Sequence, residues 1–306
     1  MKIFMTGGSG FVGTTLTREL TQRGHAVTVL TRKIKPGQAL PGGASFLEGI
    51  PTVKGAWQEK AAEHEVFINL AGTSIFSRWT DEVKKDLRES RILTTRNLVE
   101  AMQGRRGKET HLFSTSAVGY YGFHDDEELT EESPPGKDFL ATLAADWEAE
   151  AWRAEMIGAR VVLCRFGIVL GREGGMLGQI LPIFRFYLGS PLGSGRQWFS
   201  WIHERDLAGV FLFLMDHPDV RGPVNCTAPE PVRNREMTET LGRVLGVPTF
   251  MPSVPGFVLR LIKGEFGSVI LEGQRVLPRK LQAAGFTFQF PRLKDALQDL
   301  LNEANP

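Results

Sequence analysis

The 306-residue sequence is 42% hydrophobic and 23% charged, enough chain to bury a large core and, by length, to hold two domains or one domain with an appendage. Lysine plus arginine (36) nearly cancels aspartate plus glutamate (35), so no overall field draws nucleic acid or an anionic membrane surface, and neither is expected as a partner. The two cysteines, Cys164 and Cys226, sit singly in apolar strand-like runs, which argues against a disulfide framework or a metal site and for small core residues.

The chain opens on a short apolar run, residues 2–5, broken by Thr6-Gly7-Gly8 and too short for a secretory signal. No later run approaches the ~20 apolar residues of a membrane span, so a cytoplasmic protein is expected. Phe11, Val12, Leu16 and Leu20 then recur at helical spacing, Gly24 supplies the stop, and residues 26–30 read as a second strand. That is a βαβ unit of about 30 residues. Further strands are predicted at 45–47, 66–70, 111–114 and 160–165, and helices at about 80–102 and 138–156.

After Gly171 the texture changes, with Gly174-Gly175, Pro182, Gly189, Pro191, Gly193 and Gly195 in a span that cannot be one regular element. Residues 223–227 read as a strand that returns to the first sheet, and helical pieces at 234–245 and 293–301 are separated by proline turns. The alternation predicts an α/β fold, a Rossmann-like doubly wound parallel sheet built from residues 1–171 and 201–227. A smaller α+β substrate domain is expected from residues 172–200 and 228–306.

Thr6, Gly7, Gly10, Phe11, Val12 and Gly13 lie between the first strand and the first helix, where a glycine triplet has three uses. The first glycine makes the tight turn, the second lets backbone amides approach a pyrophosphate, and the third lets helix pack on strand. An NAD site carries an acidic residue about 20 positions further on, to accept from the ribose hydroxyls. Here that place reads Thr31-Arg32-Lys33, and no carboxylate occurs between Glu19 and Glu48, so NADP(H) is preferred over NAD(H). Leu70, Ala71 and Gly72, after the fourth strand, are expected beneath the adenine side.

These segments, with Phe113-Ser114-Thr115-Ser116, residues 165–171 and Trp201-Ile202-His203-Glu204-Arg205-Asp206, resemble the extended short-chain dehydrogenase/reductase superfamily. Residues 116–122 and 272–280 look like its atypical group of sugar-nucleotide epimerase-like proteins with a distinctive C-terminal domain. The resemblance implies a serine at the end of the fifth strand that polarises a substrate oxygen, and a tyrosine with lysine four residues later for proton transfer. No tyrosine here has that lysine, and the dyad positions fall near Leu140 and Ala144. Ser116 is the candidate for the first role, with Tyr120 or Tyr121 as the phenol, the pair being equally readable as packing under a loop. Arg91 matches a position that reaches the cofactor in this group, or else forms a surface ion pair with Asp86 or Glu89. His203 and Asp206 match a strand-to-helix junction better than a metal or triad site. Phe184, Phe186, Trp198, Phe199 and Trp201 line a cleft or fill a core. The implied function is an NADP(H)-dependent oxidoreductase or epimerase-like enzyme acting on a small hydroxyl- or carbonyl-bearing molecule, sugar nucleotides among them. The alternative is an NADP(H)-binding regulatory protein without catalysis.

Overall fold

Ile3 and Met5 point to one side of the first strand and Phe4 to the other, and all three are fully buried, so this strand is covered on both faces. The computed structural model describes residues 1–35, 37, 39–172 and 174–302. Through residue 171 the chain runs β1 (Lys2–Thr6), α1 (Phe11–Gln22), β2 (Ala26–Thr31), β3 (Ser45–Glu48), α2 (Trp57–Ala61), β4 (Val66–Asn69), α3 (Asp81–Met102), β5 (His111–Ala117), β6 (Glu128–Leu129), α4 (Phe139–Trp152), β7 (Arg160–Phe166) and β8 (Ile168–Gly171). Beyond it come α5 (Gly175–Arg185), β9 (Trp198–Phe199), β10 (Trp201–His203), α6 (Glu204–Asp216), β11 (Gly222–Cys226), β12 (Val232–Arg233), α7 (Asn234–Leu245), α8 (Gly256–Lys263), α9 (Glu265–Leu271), β13 (Arg275–Val276), α10 (Arg279–Ala283) and α11 (Leu293–Leu301).

Seven parallel strands form one sheet in the order β11-β7-β5-β4-β1-β2-β3, a doubly wound Rossmann-like arrangement. Residues 223–227 do return to it, as edge strand β11 beside β7. The order reverses between β1 and β4, and the loops leaving their C-terminal ends diverge there, the place where such sheets open a crevice. On one face Met5, Val29, Ile68 and Phe113 pack with Leu16, Leu20 and Phe211 of α1 and α6. On the other, Phe4, Phe67, Leu112 and Leu163 pack with Trp57, Leu98, Met102 and Ala151 of α2, α3 and α4. Cys164 and Cys226 are buried and unbonded to each other, as core residues.

β5 runs three residues past its predicted end, because Thr115, Ser116 and Ala117 keep pairing with Cys164, Arg165 and Phe166. The glycine-rich crossing holds more order than its composition suggests. α5 forms there with Pro182 inside it, since Leu177 and Phe184 bury against Phe199, Trp201, Leu241 and Leu297. The C-terminal part is mostly helical, its strands β12 and β13 being two residues each. Among the described residues no helix is long and apolar enough to cross a membrane.

Candidate functional site

The loop from β1 to α1 is shaped by its neighbours. Gly7 has φ +72°, and a Cβ there would lie 2.8 Å from the Ala71 nitrogen and the Leu70 carbonyl carbon, backbone that cannot yield. At Gly13 a Cβ would come 2.2 Å from the Gly7 oxygen, so the third glycine lets the helix sit on the loop. Gly10 differs: its φ is −84°, and an added Cβ meets only the Gly7 oxygen, at 3.2 Å. Its exclusion of side chains therefore acts on whatever approaches from outside. Gly10 caps α1 without any side-chain bond, and α1 has no acid in its first turn, so its first amides face outward with the positive end of the helix dipole. Val12 is half-buried against the core, and the Phe11 ring fills the space where Gly171, Gly174 and Gly175 lack a Cβ.

Thr31 ends β2, and Arg32 and Lys33 stand exposed just beyond it, neither in an ion pair among the described residues. Across the crevice, Leu70, Ala71 and Gly72 leave β4. They are fixed by a buried network that sequence reasoning missed: Thr6 donates to Asn69 Oδ1 (2.7 Å), Asn69 Nδ2 donates to Thr95 (2.8 Å), and the Ala71 amide donates to Thr6 Oγ1 (3.3 Å). Thr6 thus acts from beneath the loop, fully buried.

Arg91 forms no ion pair with Asp86 or Glu89. Its guanidinium donates to the carbonyls of Leu87 and Thr73, both at 3.0 Å, and lies over the Trp147 ring, its carbon 5.3 Å from the ring centre. Burial pulls its pKa down to about 10, still far above neutrality, so it remains a cation. This half-buried cation, bonded to carbonyls, lies 3.2 Å from where a Gly72 Cβ would stand.

At the C-terminal ends of β5 and β7 lies a denser cluster. Ser116 Oγ donates to Glu148 Oε1 at 2.6 Å. Glu148, from α4, also accepts Arg165 Nε and Nη2, both at 2.8 Å, in a bidentate pair whose side chains are 5% and 2% exposed. Arg165 Nη1 donates to the Tyr121 hydroxyl (2.9 Å), which donates in turn to Asn225 Oδ1 (2.6 Å). Burial raises the Tyr121 phenol to about 12, against the opposing pull of Arg165, and the side chain has no exposed surface. Tyr120 is half-buried, its ring 3.5 Å from the Arg165 guanidinium carbon and edge-on to Tyr121 at 5.4 Å.

The structure therefore brings Ser116, Tyr120 and Tyr121 around Arg165, with Tyr121 committed to the framework. The signal for Arg165 was a cation inside the otherwise apolar stretch 164–168, and for Glu148 it was an acid in line with Ala144, Trp147 and Ala151 on one helical face. Leu140 and Ala144 are packed, Leu140 against Gly119, and no lysine stands at that place. His203 and Asp206 form the expected junction. His203 Nδ1 accepts the Arg205 amide (3.0 Å) at the start of α6, and Asp206 accepts the amides of Gln289 (2.7 Å) and Phe290 (3.0 Å). No metal cluster occurs among the described residues. Of the five aromatics, Phe184, Phe199 and Trp201 are core, Phe186 is exposed, and Trp198 is covered by the guanidinium of Arg233 at 3.8 Å.

Residues 3–226 match the NAD dependent epimerase/dehydratase family, and residues 254–300 match a domain of unknown function, DUF1731. The chain is 41% identical over 305 residues to an epimerase family protein from Arabidopsis thaliana described as a chloroplastic SDR39U1 homolog, covering 98% of this chain and 87% of that protein. It is 39% identical to the epimerase family protein YfhF of Bacillus subtilis, covering 98% of each. The crystal structure of human epimerase family protein SDR39U1 with NADPH superposes with a TM-score of 0.86 at 35% identity, over 98% of this chain and 99% of that one. A Thermus thermophilus UDP-glucose 4-epimerase solved with NAD shares the fold, with a TM-score of 0.78 at 23% identity over 98% of each chain. The glycine cradle and the order of the seven strands agree with that match, and the chain belongs to the NAD dependent epimerase/dehydratase family.

Proposed function

We propose that this protein binds NADP(H) in the crevice between β1 and β4 and acts on a small hydroxyl- or carbonyl-bearing substrate between its two units, residues 1–171 with 201–227 and residues 172–200 with 228–306. The observation that carries the reading is the cradle at Gly7 and Gly13 with unpaired Arg32 and Lys33 at its ribose end. Gly10, Phe11 and Val12 present amides to the pyrophosphate, Leu70 to Gly72 form the opposite wall with Thr6 bracing them from beneath, and Thr31 to Lys33 take the 2′-phosphate. Arg91 contributes a half-buried positive charge on the β4 side. The NADPH held by the human relative supports the same choice.

When bound, the nicotinamide supplies hydride transfer. The chain's own contribution lies at the ends of β5 and β7. With its hydroxyl hydrogen directed at Glu148, the buried Ser116 Oγ keeps lone pairs that can accept from a substrate hydroxyl. Tyr120 carries the phenol left to move a proton, and Tyr121 holds Arg165 in place beneath it. Titration calorimetry with NADPH and NADH, followed by single-turnover oxidation of bound NADPH against carbonyl compounds and nucleotide sugars, tests both halves. A tenfold or greater preference for NADPH with turnover supports the reading, and equal affinities overturn the cofactor assignment.

A second reading, NADP(H)-binding regulation without catalysis, draws on one feature: the Ser116 hydroxyl already donates to Glu148, and neither tyrosine has a lysine four residues on. Nucleotide binding with no turnover of any substrate class would favour it.

A further inference from the structure

The overall charge balance hides a local imbalance. From Gly174 to His203 and again from Thr240 to Gly264 the sequence contains no acidic residue. These two segments also carry most of the large apolar side chains left in solvent: Ile183, Phe186, Tyr187 and Leu188 at the end of α5, and Phe250, Phe257, Leu261 and Ile262 in and before α8. Phe186, Phe257 and Leu261 are 76%, 70% and 74% exposed, in a chain whose other apolar residues are mostly inside.

The fold holds the two strips side by side. Leu192 bridges Val254 in parallel, the Gly193 amide donates to the Val254 carbonyl (2.9 Å) and the Val254 amide to the Pro191 carbonyl (2.9 Å). Leu188 lies four positions before Leu192 and Phe257 three positions after Val254, so chain reach alone keeps these two side chains' backbones within about 30 Å of each other. α8 buries none of its eight residues fully, and Phe257 and Leu261 stand one turn apart on its outer side with Arg260 between them. Arg185, Arg260 and Lys263 border the patch and form no ion pair among the described residues.

We propose that this patch docks the protein peripherally on an anionic lipid surface, its aromatic and aliphatic side chains entering the headgroup boundary and its cations meeting lipid phosphates. Exposed apolar side chains flanked by cations on a short amphipathic helix are what such an interface needs. A second copy of the chain is the poorer occupant, because a self-complementary contact would set these cations against one another without an acid in either strip. The proposal departs from the expectation of no membrane partner, which rested on net charge, and draws instead on the local distribution of charge.

Sedimentation with vesicles of phosphatidylglycerol and phosphatidylcholine, against vesicles of phosphatidylcholine alone, tests this on the full chain. The protein should pellet with the anionic vesicles and stay in the supernatant with the neutral ones. The double variants F257S/L261S and R260E/K263E should each lose the association, the second by about fivefold or more per cation, while both retain nucleotide affinity as proof of folding. No pelleting with anionic vesicles overturns the proposal, as does unchanged pelleting of both variants. A wild-type dimer in light scattering that the same substitutions dissociate would also overturn it, assigning the patch to a second copy.

Discussion

Ser116 and Glu148 meet at 2.6 Å, and since the same carboxylate oxygen also accepts Arg165 Nε at 2.8 Å, the serine hydroxyl is the donor of the pair. This single direction of donation bears on stability and on chemistry. Arg165 and Glu148 are both almost wholly buried, so each charge is compensated by the other. Removing one leaves a buried charge without compensation, a loss of about 3–5 kcal/mol. Glu148→Ala should therefore cost roughly that much in urea unfolding, whereas Arg23→Ala, which breaks a pair whose members are 53% and 62% exposed, should shift stability by no more than about 0.5 kcal/mol. Comparable losses in the two variants would show that the buried pair has no special weight.

The proposed cofactor preference rests on two exposed side chains, Arg32 and Lys33, and is open to direct reversal. Charged hydrogen bonds to a 2′-phosphate should favour NADPH over NADH by about 10- to 100-fold in titration calorimetry. Arg32→Glu restores the acid that an NAD site uses and should bring the ratio to one or below. The 2′-phosphate is held elsewhere if the ratio stays unchanged.

Two glycines of the same loop should fail differently. A side chain at Gly13 runs into the Gly7 oxygen at 2.2 Å, so Gly13→Ala should unfold the loop and lower the melting temperature. Gly10→Val meets only one atom, at 3.2 Å, and should keep the melting temperature within a few degrees while abolishing nucleotide binding. Normal affinity in the Gly10 variant would reduce the motif to a turn.

The sheet was legible because its inner strands are buried on both faces and all seven are bounded by helical or turn patterns, so they emerged from runs such as residues 2–5 and 66–70. The glycine loop was legible for the same reason: its spacing is a steric requirement. The polar cluster was not, because its partners are distant in sequence. Ser116 to Glu148 spans 32 residues and Tyr121 to Asn225 spans 104, and no local pattern announces such a bond. α5 was hidden by its glycines and Pro182, whose unfavourable propensity is overridden by the burial of Leu177 and Phe184.

His203 gives a pH dependence with a definite sign. Burial lowers its pKa to about 4, with Arg205 adding to the effect and Asp299 opposing it. The unfolded chain, near 6.5, binds a proton that the folded chain refuses, so this residue's contribution is complete above about 6.5 and is lost as pH falls toward 4, amounting to at most about 3 kcal/mol. His203→Asn keeps a good helix cap and removes the titration. Stability of the wild type should fall more steeply than that of the variant between pH 6.5 and 4, and parallel curves would rule the contribution out.

The chemistry follows from the same cluster. Tyr121, raised to about 12 by burial and bonded to Asn225 and Arg165, cannot exchange protons with a substrate near neutral pH, so Tyr121→Phe should weaken the framework rather than the reaction. Tyr120 is half-buried against Arg165 and is the phenol proposed to serve the substrate, and Ser116 is proposed to accept a hydrogen bond while its own hydroxyl donates to Glu148. In single-turnover oxidation of bound NADPH, Tyr120→Phe should lower the rate about 10²- to 10⁴-fold, the range for losing a general acid. Ser116→Ala should also lower it with nucleotide affinity intact, and Tyr121→Phe should lower the melting temperature with a smaller change in rate. Equal rates in the wild type, Ser116→Ala and Tyr120→Phe would make all three side chains packing elements. The protein would then bind its nucleotide through the loop of Gly7 to Gly13 without using the ends of β5 and β7 for catalysis.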